Sequence, residues 1–101
     1  MDSLQVTDAA SAAVQKTPNR VSLESIKDKI AERVFLRPEI EPTMTVCFLK
    51  MSNGFIVIGK AAPADPENFN AELGEQFAFE DAVRQIWPLE GYALRSRLME
   101  G

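Results

Sequence analysis

The run from Thr43 to Lys60, TMTVCFLKMSNGFIVIGK, constrains the fold more than any other part of the chain. β-Branched and aromatic residues stand on both sides of Asn53-Gly54. That dipeptide is the strongest short-range hairpin signal, because tight hairpin turns need positive φ values that Asn and Gly tolerate. A β-hairpin is therefore expected. Thr45, Cys47, Leu49 and Met51 fall on one face of its first strand, and Val46, Phe48 and Lys50 on the other. Phe55 to Ile58 is apolar without alternation, the pattern of a strand covered on both sides. A two-stranded ribbon is marginal in water, so helices or a second subunit must supply that cover.

Helical periodicity flanks the hairpin. Ser22 offers an N-cap, and Leu23, Ile26, Ile30 and Val34 recur at three and four residues, which predicts a helix from about 23 to 35. Leu36-Arg37-Pro38 ends it, since the residue before a proline is pushed out of the helical region. After the hairpin, AAPADPENFN reads as a loop, with Asp65-Pro66 as a capped turn and Asn70 as an N-cap. A long helix follows, with Leu73, Phe77, Ala78, Val83, Ile86 and Trp87 on its apolar side. Glu72, Glu75, Gln76, Glu80 and Arg84 make the wet side. Pro88 cannot donate to the carbonyl of Arg84, which predicts a kink or a restart there. Residues 1–20 lack sustained periodicity, and Thr17-Pro18-Asn19 interrupts any helix begun over Ala9 to Val14, so they are expected to form a flexible or partly helical tail, dispensable to about residue 18. The expected architecture is α+β: that tail, then one domain over 21–101 with an N-terminal helix, a β-hairpin and a long C-terminal helix broken at a proline.

Composition narrows the chemistry. The 101 residues include no histidine and a single cysteine, so no Ser-His or Cys-His pair and no internal disulfide is possible. Cys47, mid-strand, reads as a small buried apolar residue. Asp65, Glu67 and Glu72 lack the spacing of a calcium loop, and Gly54, Gly59 and Gly74 match no phosphate-cradling spacing. An enzyme, a resident metal or a cofactor is therefore not expected. No apolar run could span a bilayer, and the first residues lack the form of a secretory signal, which points to a cytoplasmic protein. A net charge of −4 disfavours a polymeric nucleic-acid partner.

What remains is a binding inventory. Arg20, Arg33, Arg37, Arg84, Arg95 and Arg97 could clamp phosphates, Asn53, Asn68 and Asn70 could read base edges, and Phe69, Phe79 and Tyr92 could stack on a base, with Arg84, Arg95, Asn68, Asn70, Phe69 and Tyr92 as the first choices. The bland reading sets Phe69 in the core and Asn70 as a cap. Trp87 and Tyr92, astride Pro88 and Gly91, read first as filling for a helix joint and second as a stacking surface. Gly91 would allow a neighbour to approach closely.

The hairpin TVCFLKMSNGFIVIGKAA, the loop and helix start DPENFNAELGEQFA and the closing IWPLEGYALRSRL together resemble the gp-forty-nine-like family of small phage and prophage proteins, over about residues 22–98. The resemblance implies a phage or prophage origin, a helix, hairpin, helix arrangement and no known catalysis. In KAAPADP this chain has alanine where family members often carry serine or cysteine. The NGF hairpin and the closing Glu-Gly-Tyr helix are also similar to the Thoeris anti-defence one proteins, phage sponges that bind cyclic ADP-ribose-type signals and cyclic oligonucleotides. That likeness implies a non-enzymatic protein of the host cytoplasm that sequesters a small nucleotide signal; the apolar hairpin and the short chain add the expectation of a homo-oligomer with the ligand at a subunit interface. The alternative is an interaction module that inhibits a host enzyme through the acidic surface of the helix over 71–87.

Overall fold

The computed structural model of the chain describes residues 2–100, so Met1 of the expected tail and Gly101 of the expected domain lie outside the described residues. Three antiparallel strands, β1 (Ile30–Leu36), β2 (Thr45–Met51) and β3 (Ile56–Ala61), lie in the order β1-β2-β3. Helices α1 (Ser3–Ala13) and α2 (Leu23–Asp28) precede them. A short 3-10 turn (Pro66–Asn68) and the 30-residue helix α3 (Ala71–Glu100) follow. The α+β class expected from the hairpin and the flanking helices is the one observed.

The hairpin forms where Asn53-Gly54 placed it. Gly54 has φ +90°, its N–H donates to the carbonyl of Met51 (2.8 Å), and the N–H of Met51 donates to the carbonyl of Phe55 (2.8 Å). This is a three-residue loop, a tight turn followed by a left-handed glycine. Thr45, Cys47, Leu49 and Met51 are buried, as one face of a strand packed on a core should be. Val57 and Gly59 of β3 join them on that face.

Helix α3 lies directly on this face. A Cβ at Gly59 would stand 2.2 Å from the carbonyl oxygen of Ala78 and 2.4 Å from the N–H nitrogen of Ala82, so strand and helix backbones touch. Ala78 and Ala82 are fully buried because nothing larger fits. On either side of this contact Val83 and Ile86 of α3 pack with Leu49, Cys47, Val57, Ile26 and Leu23 into one core. Two α3 side chains also occupy the free edge of β3: Gln85 donates to the carbonyl of Ile58 (2.8 Å), and Asp81 accepts from the N–H of Lys60 (2.9 Å). That edge is thereby closed to strand addition.

Three expectations change. The helix over 23–35 is really α2, which stops at Asp28, followed by strand β1. The apolar stripe Leu23, Ile26, Ile30, Val34 fits a helix, but Val34-Phe35-Leu36 finds partners in Phe48, Cys47 and Val46 of β2, and tertiary pairing overrides the period. The break at Pro88 reduces to one missing hydrogen bond, since α3 runs through the proline without interruption. Residues 3–13, expected in a flexible or partly helical and dispensable tail, form α1 and pack on the core. Asp2 and Gln5 make a reciprocal capping box at its start, and Leu4 is 2% exposed within the core. Asp8 binds Arg20 (2.7 Å) and accepts from the N–H of Leu23 (3.0 Å), which ties α1 to the start of α2.

Cys47 is fully buried, and burial pushes its thiol up to about 11 against the opposing charge of Arg33. The folded state therefore favours the neutral thiol. The stability this contributes is complete below the unfolded value, ~8.5 to 9, and is lost as pH rises toward 11. Labelling by a thiol reagent at pH 8 is expected to be negligible in buffer and complete in denaturant. Rapid labelling of the native protein would show that the strand opens.

Candidate functional site

The residues singled out in the sequence fall into three places rather than one. Asn68, Phe69 and Asn70 lie at the start of α3. Asn70 is its N-cap, its side-chain oxygen accepting from the N–H of Leu73 (3.0 Å), and Phe69 is half-buried with the Arg37 guanidinium 5.3 Å above its ring. All three line a cavity of about 170 Å³ together with Leu73 and Phe77. A cavity of that size falls below the ~300 Å³ at which small-molecule sites begin.

Arg84 lies in the middle of α3 and binds Ser3 of α1 and, at 3.6 Å, Glu80. Glu80, expected on the wet side, is only 3% exposed. Its Oε1 accepts from the Ser3 hydroxyl (2.5 Å), and its Oε2 has no hydrogen-bond partner among the described residues. Arg84 therefore serves as half of the clamp that holds α1 to α3. Tyr92 and Arg95 lie near the C-terminal end of α3, both exposed. Asn70 and Arg95 are about 37 Å apart along the helix at ~1.5 Å per residue, so one chain cannot bring them to one ligand.

Trp87 answers the question of the helix joint. Its indole N–H donates to the carbonyl of Val21 (2.9 Å), its ring packs against the core, and α3 is thereby fastened to the segment that enters α2. Gly91, expected to admit a close neighbour, would meet nothing within 4 Å if it carried a Cβ.

A larger cleft opens where the hairpin turn meets the C-terminal half of α3. Its volume is about 460 Å³, within the range of small-molecule sites. Met51, Val57, Ile86 and Leu89 make the apolar part of its wall, Phe55 stands at the rim 56% exposed, and Ser52, Asn53, Lys29, Glu90 and Arg97 supply the polar groups. Its geometry is held locally. Lys29, the C-cap of α2, accepts at its carbonyl from the N–H of Ser52 (2.7 Å) and pairs through its ammonium with Glu90. The side chain of Asn53 accepts from the N–H of Phe55 (3.0 Å), which sets the angle of the turn. Arg97 has no carboxylate at ion-pair distance among the described residues.

Reading the sequence for binding groups did not select Lys29, Phe55 or Leu89. The available signal was indirect: the hairpin tip and the WPLEGY segment both lie among the stretches that carry the family resemblance, and here they form two walls of one cleft. Among the described residues no group of three His, Cys, Asp or Glu side chains is placed to hold a metal ion, and no helix is long and apolar enough to cross a membrane.

No curated protein and no solved structure matches the chain significantly. The likeness to Thoeris anti-defence proteins finds no support in these comparisons. Residues 17–98 match the family described as "Phage protein (N4 Gp49/phage Sf6 gene 66)", which spans the sheet, α2 and nearly all of α3, and the chain belongs to that phage protein family.

Proposed function

We propose that this phage protein binds and holds a small nucleotide-class signal in the cleft between the hairpin turn and α3, and performs no chemistry on it. The observation that carries the reading is the make-up of that cleft: an apolar wall, an aromatic ring free to stack at the rim, and a guanidinium with no carboxylate at ion-pair distance among the described residues, in a volume suited to a nucleotide. Stacking on Phe55 and phosphate binding by Arg97, with the Lys29 ammonium already paired to Glu90, is the chemistry by which proteins recognise such ligands. Sequestration needs a tight pocket and no nucleophile, which suits a chain with no histidine. The open side at Phe55 is where a second subunit would complete the enclosure, in keeping with an anti-defence sponge that starves an immune effector of its cyclic nucleotide.

A thermal-shift screen against cyclic ADP-ribose-type molecules and cyclic di- and trinucleotides tests this. A ligand at a hundredfold excess over its dissociation constant should stabilise the fold by about 2.7 kcal/mol. Arg97→Ala should then weaken binding by about 2 kcal/mol and Phe55→Ala by about 1 to 3 kcal/mol, while Arg95→Ala, which lies off the cleft, leaves it unchanged. No stabilisation by any member of the panel, or equal affinity in all three variants, would sink the reading.

A second reading rests on a different observation. Leu73 and Phe77, expected on the buried side of α3, are 46% and 51% exposed beside the exposed Glu72 and Glu75. This acidic surface with apolar residues at its centre suits a basic protein partner, such as a host enzyme that the phage protein inhibits. Under this reading a Leu73→Ser, Phe77→Ser double variant loses inhibition and keeps any nucleotide binding, whereas Arg97→Ala does neither.

A further inference from the structure

Among the described residues no helix covers the outer face of the sheet. Cross-strand partners share a face, so the register arranges its side chains as a grid: Glu32, Lys50 and Ile56 in one row, Val34, Phe48 and Ile58 in the next, Leu36, Val46 and Lys60 in the third. Val34, Leu36, Ile56 and Ile58 are each about half exposed, at 49%, 52%, 48% and 50%. The pattern of Phe55 to Ile58, apolar without alternation, called for cover on both sides, and the fold supplies it on one.

The grid has an internal symmetry. Its diagonal, Leu36, Phe48 and Ile56, is wholly apolar, and the two corners off that diagonal carry opposite charges, Glu32 on β1 and Lys60 on β3. We infer that this face is the contact between two copies of the chain, related by a two-fold axis lying in the plane of contact along that diagonal. Such an axis exchanges rows with strands, so the two sheets cross at nearly a right angle, one of the two ways in which sheets pack face to face. Leu36, Phe48 and Ile56 then meet their own counterparts. Val34 meets the partner's Val46, and the stem of Lys50 lies along the partner's Ile58 with its ammonium reaching water. Glu32 meets the partner's Lys60, and Lys60 the partner's Glu32, so each charged corner meets one opposite charge and the pair occurs twice by symmetry. Spacings of ~6.7 Å along a strand and ~4.8 Å between strands leave offsets of about 3 Å, which long side chains absorb.

The other simple axes fail on the same grid. A two-fold axis parallel to the strands sets Glu32 on the partner's Ile56 and Lys60 on the partner's Leu36. One perpendicular to the strands sets Glu32 on the partner's Leu36 and Lys60 on the partner's Ile56. Each buries charges against apolar side chains, which is costly. The β3 edge is closed by Asp81 and Gln85, so that edge does not compete. A patch of three short strands is smaller than the ~800 Å² per partner of a standard interface, which sets the expected dissociation constant in the micromolar range.

Sedimentation equilibrium of the full chain, from low micromolar to submillimolar concentration, should show a monomer-dimer equilibrium that Phe48→Asp shifts at least a hundredfold toward monomer. Glu32→Lys and Lys60→Glu should each weaken the dimer, about tenfold, because each sets like charges together. The double variant should recover wild-type affinity. Glu32 and Lys60 lie on opposite edges of one sheet, so recovery cannot arise within a single chain. A monomer throughout overturns the proposal. So does a dimer indifferent to Phe48→Asp, which would place the contact elsewhere, such as the open β1 edge. A dimer without charge-swap recovery overturns the diagonal axis. The three charge variants decide the matter if Phe48→Asp fails to fold, and no ligand is needed, so the outcome is independent of the cleft.

Discussion

Gly59→Val is expected to leave the chain without its native fold at 37 °C. The Cβ alone would stand 2.2 Å from the carbonyl oxygen of Ala78 and 2.4 Å from the nitrogen of Ala82, both backbone atoms of α3 that no rotamer change can move. To relieve the clash the helix must lift from β3. Lifting it opens the packing of Val83 and Ile86 on the sheet and draws Gln85 and Asp81 away from the edge groups they satisfy. Overpacking a core commonly costs ~1 to 3 kcal/mol, and here rigid backbone meets the added atoms, so at least about 4 kcal/mol is expected. Gly59→Ala should share the effect in reduced form. Gly91→Ala is the control: it lies in the same helix with nothing within 4 Å of an added Cβ, and should stabilise by about 0.5 to 1 kcal/mol through backbone entropy. Urea titrations followed by circular dichroism separate these outcomes, and a Gly59→Val protein that unfolds with wild-type midpoint would show that α3 does not rest on β3.

How much of this was legible beforehand depended on whether the deciding interaction was local. The hairpin was legible because Asn53-Gly54 and the alternation from Thr45 to Met51 act over a few residues. Asn70 was legible as a cap for the same reason. Strand β1 was hidden because Ile30 and Val34 satisfy a helical period as well as a strand pairing, and only β2 decides between them. Glu80 reads as a surface acid in any periodicity, and it is buried because α1 returns across α3 and brings Ser3 to it. The cleft could not be read at all from spacing. Lys29, Phe55 and Arg97 come from three separate segments, and only the antiparallel return of α3 past the hairpin turn brings them together.

Removing residues 2–16 is expected to cost far more than the loss of a loose tail. Leu4 is 2% exposed within the core, and taking it away uncovers its neighbours there, a change of about 3 kcal/mol for a leucine in a well-packed site. The truncation also takes from Glu80 the Ser3 hydroxyl and the cover that α1 gives it, with Arg84 at 3.6 Å as its remaining partner, and it removes Asp8 from Arg20 and from the N–H of Leu23. A fall in melting temperature on the order of 15 °C follows for a domain of this size. The loss should depend on pH in a defined sense. Burial alone would raise the pKa of Asp8, but the hydrogen bonds from Arg20 and the Leu23 N–H, with the charge of Arg20, hold it below the usual carboxylate value. A lowered folded pKa stabilises fully above the unfolded value, ~3.9, and that stabilisation disappears as pH falls through the folded one. The gap between full-length and truncated protein is therefore widest near neutrality and narrows in acid, and Asp8→Asn in the full chain should reproduce the narrowing without the loss of Leu4. Melting curves at pH 7 and pH 3 for the three proteins test it: a truncated chain that melts with the full one at pH 7 would mean that α1 contributes nothing to the core.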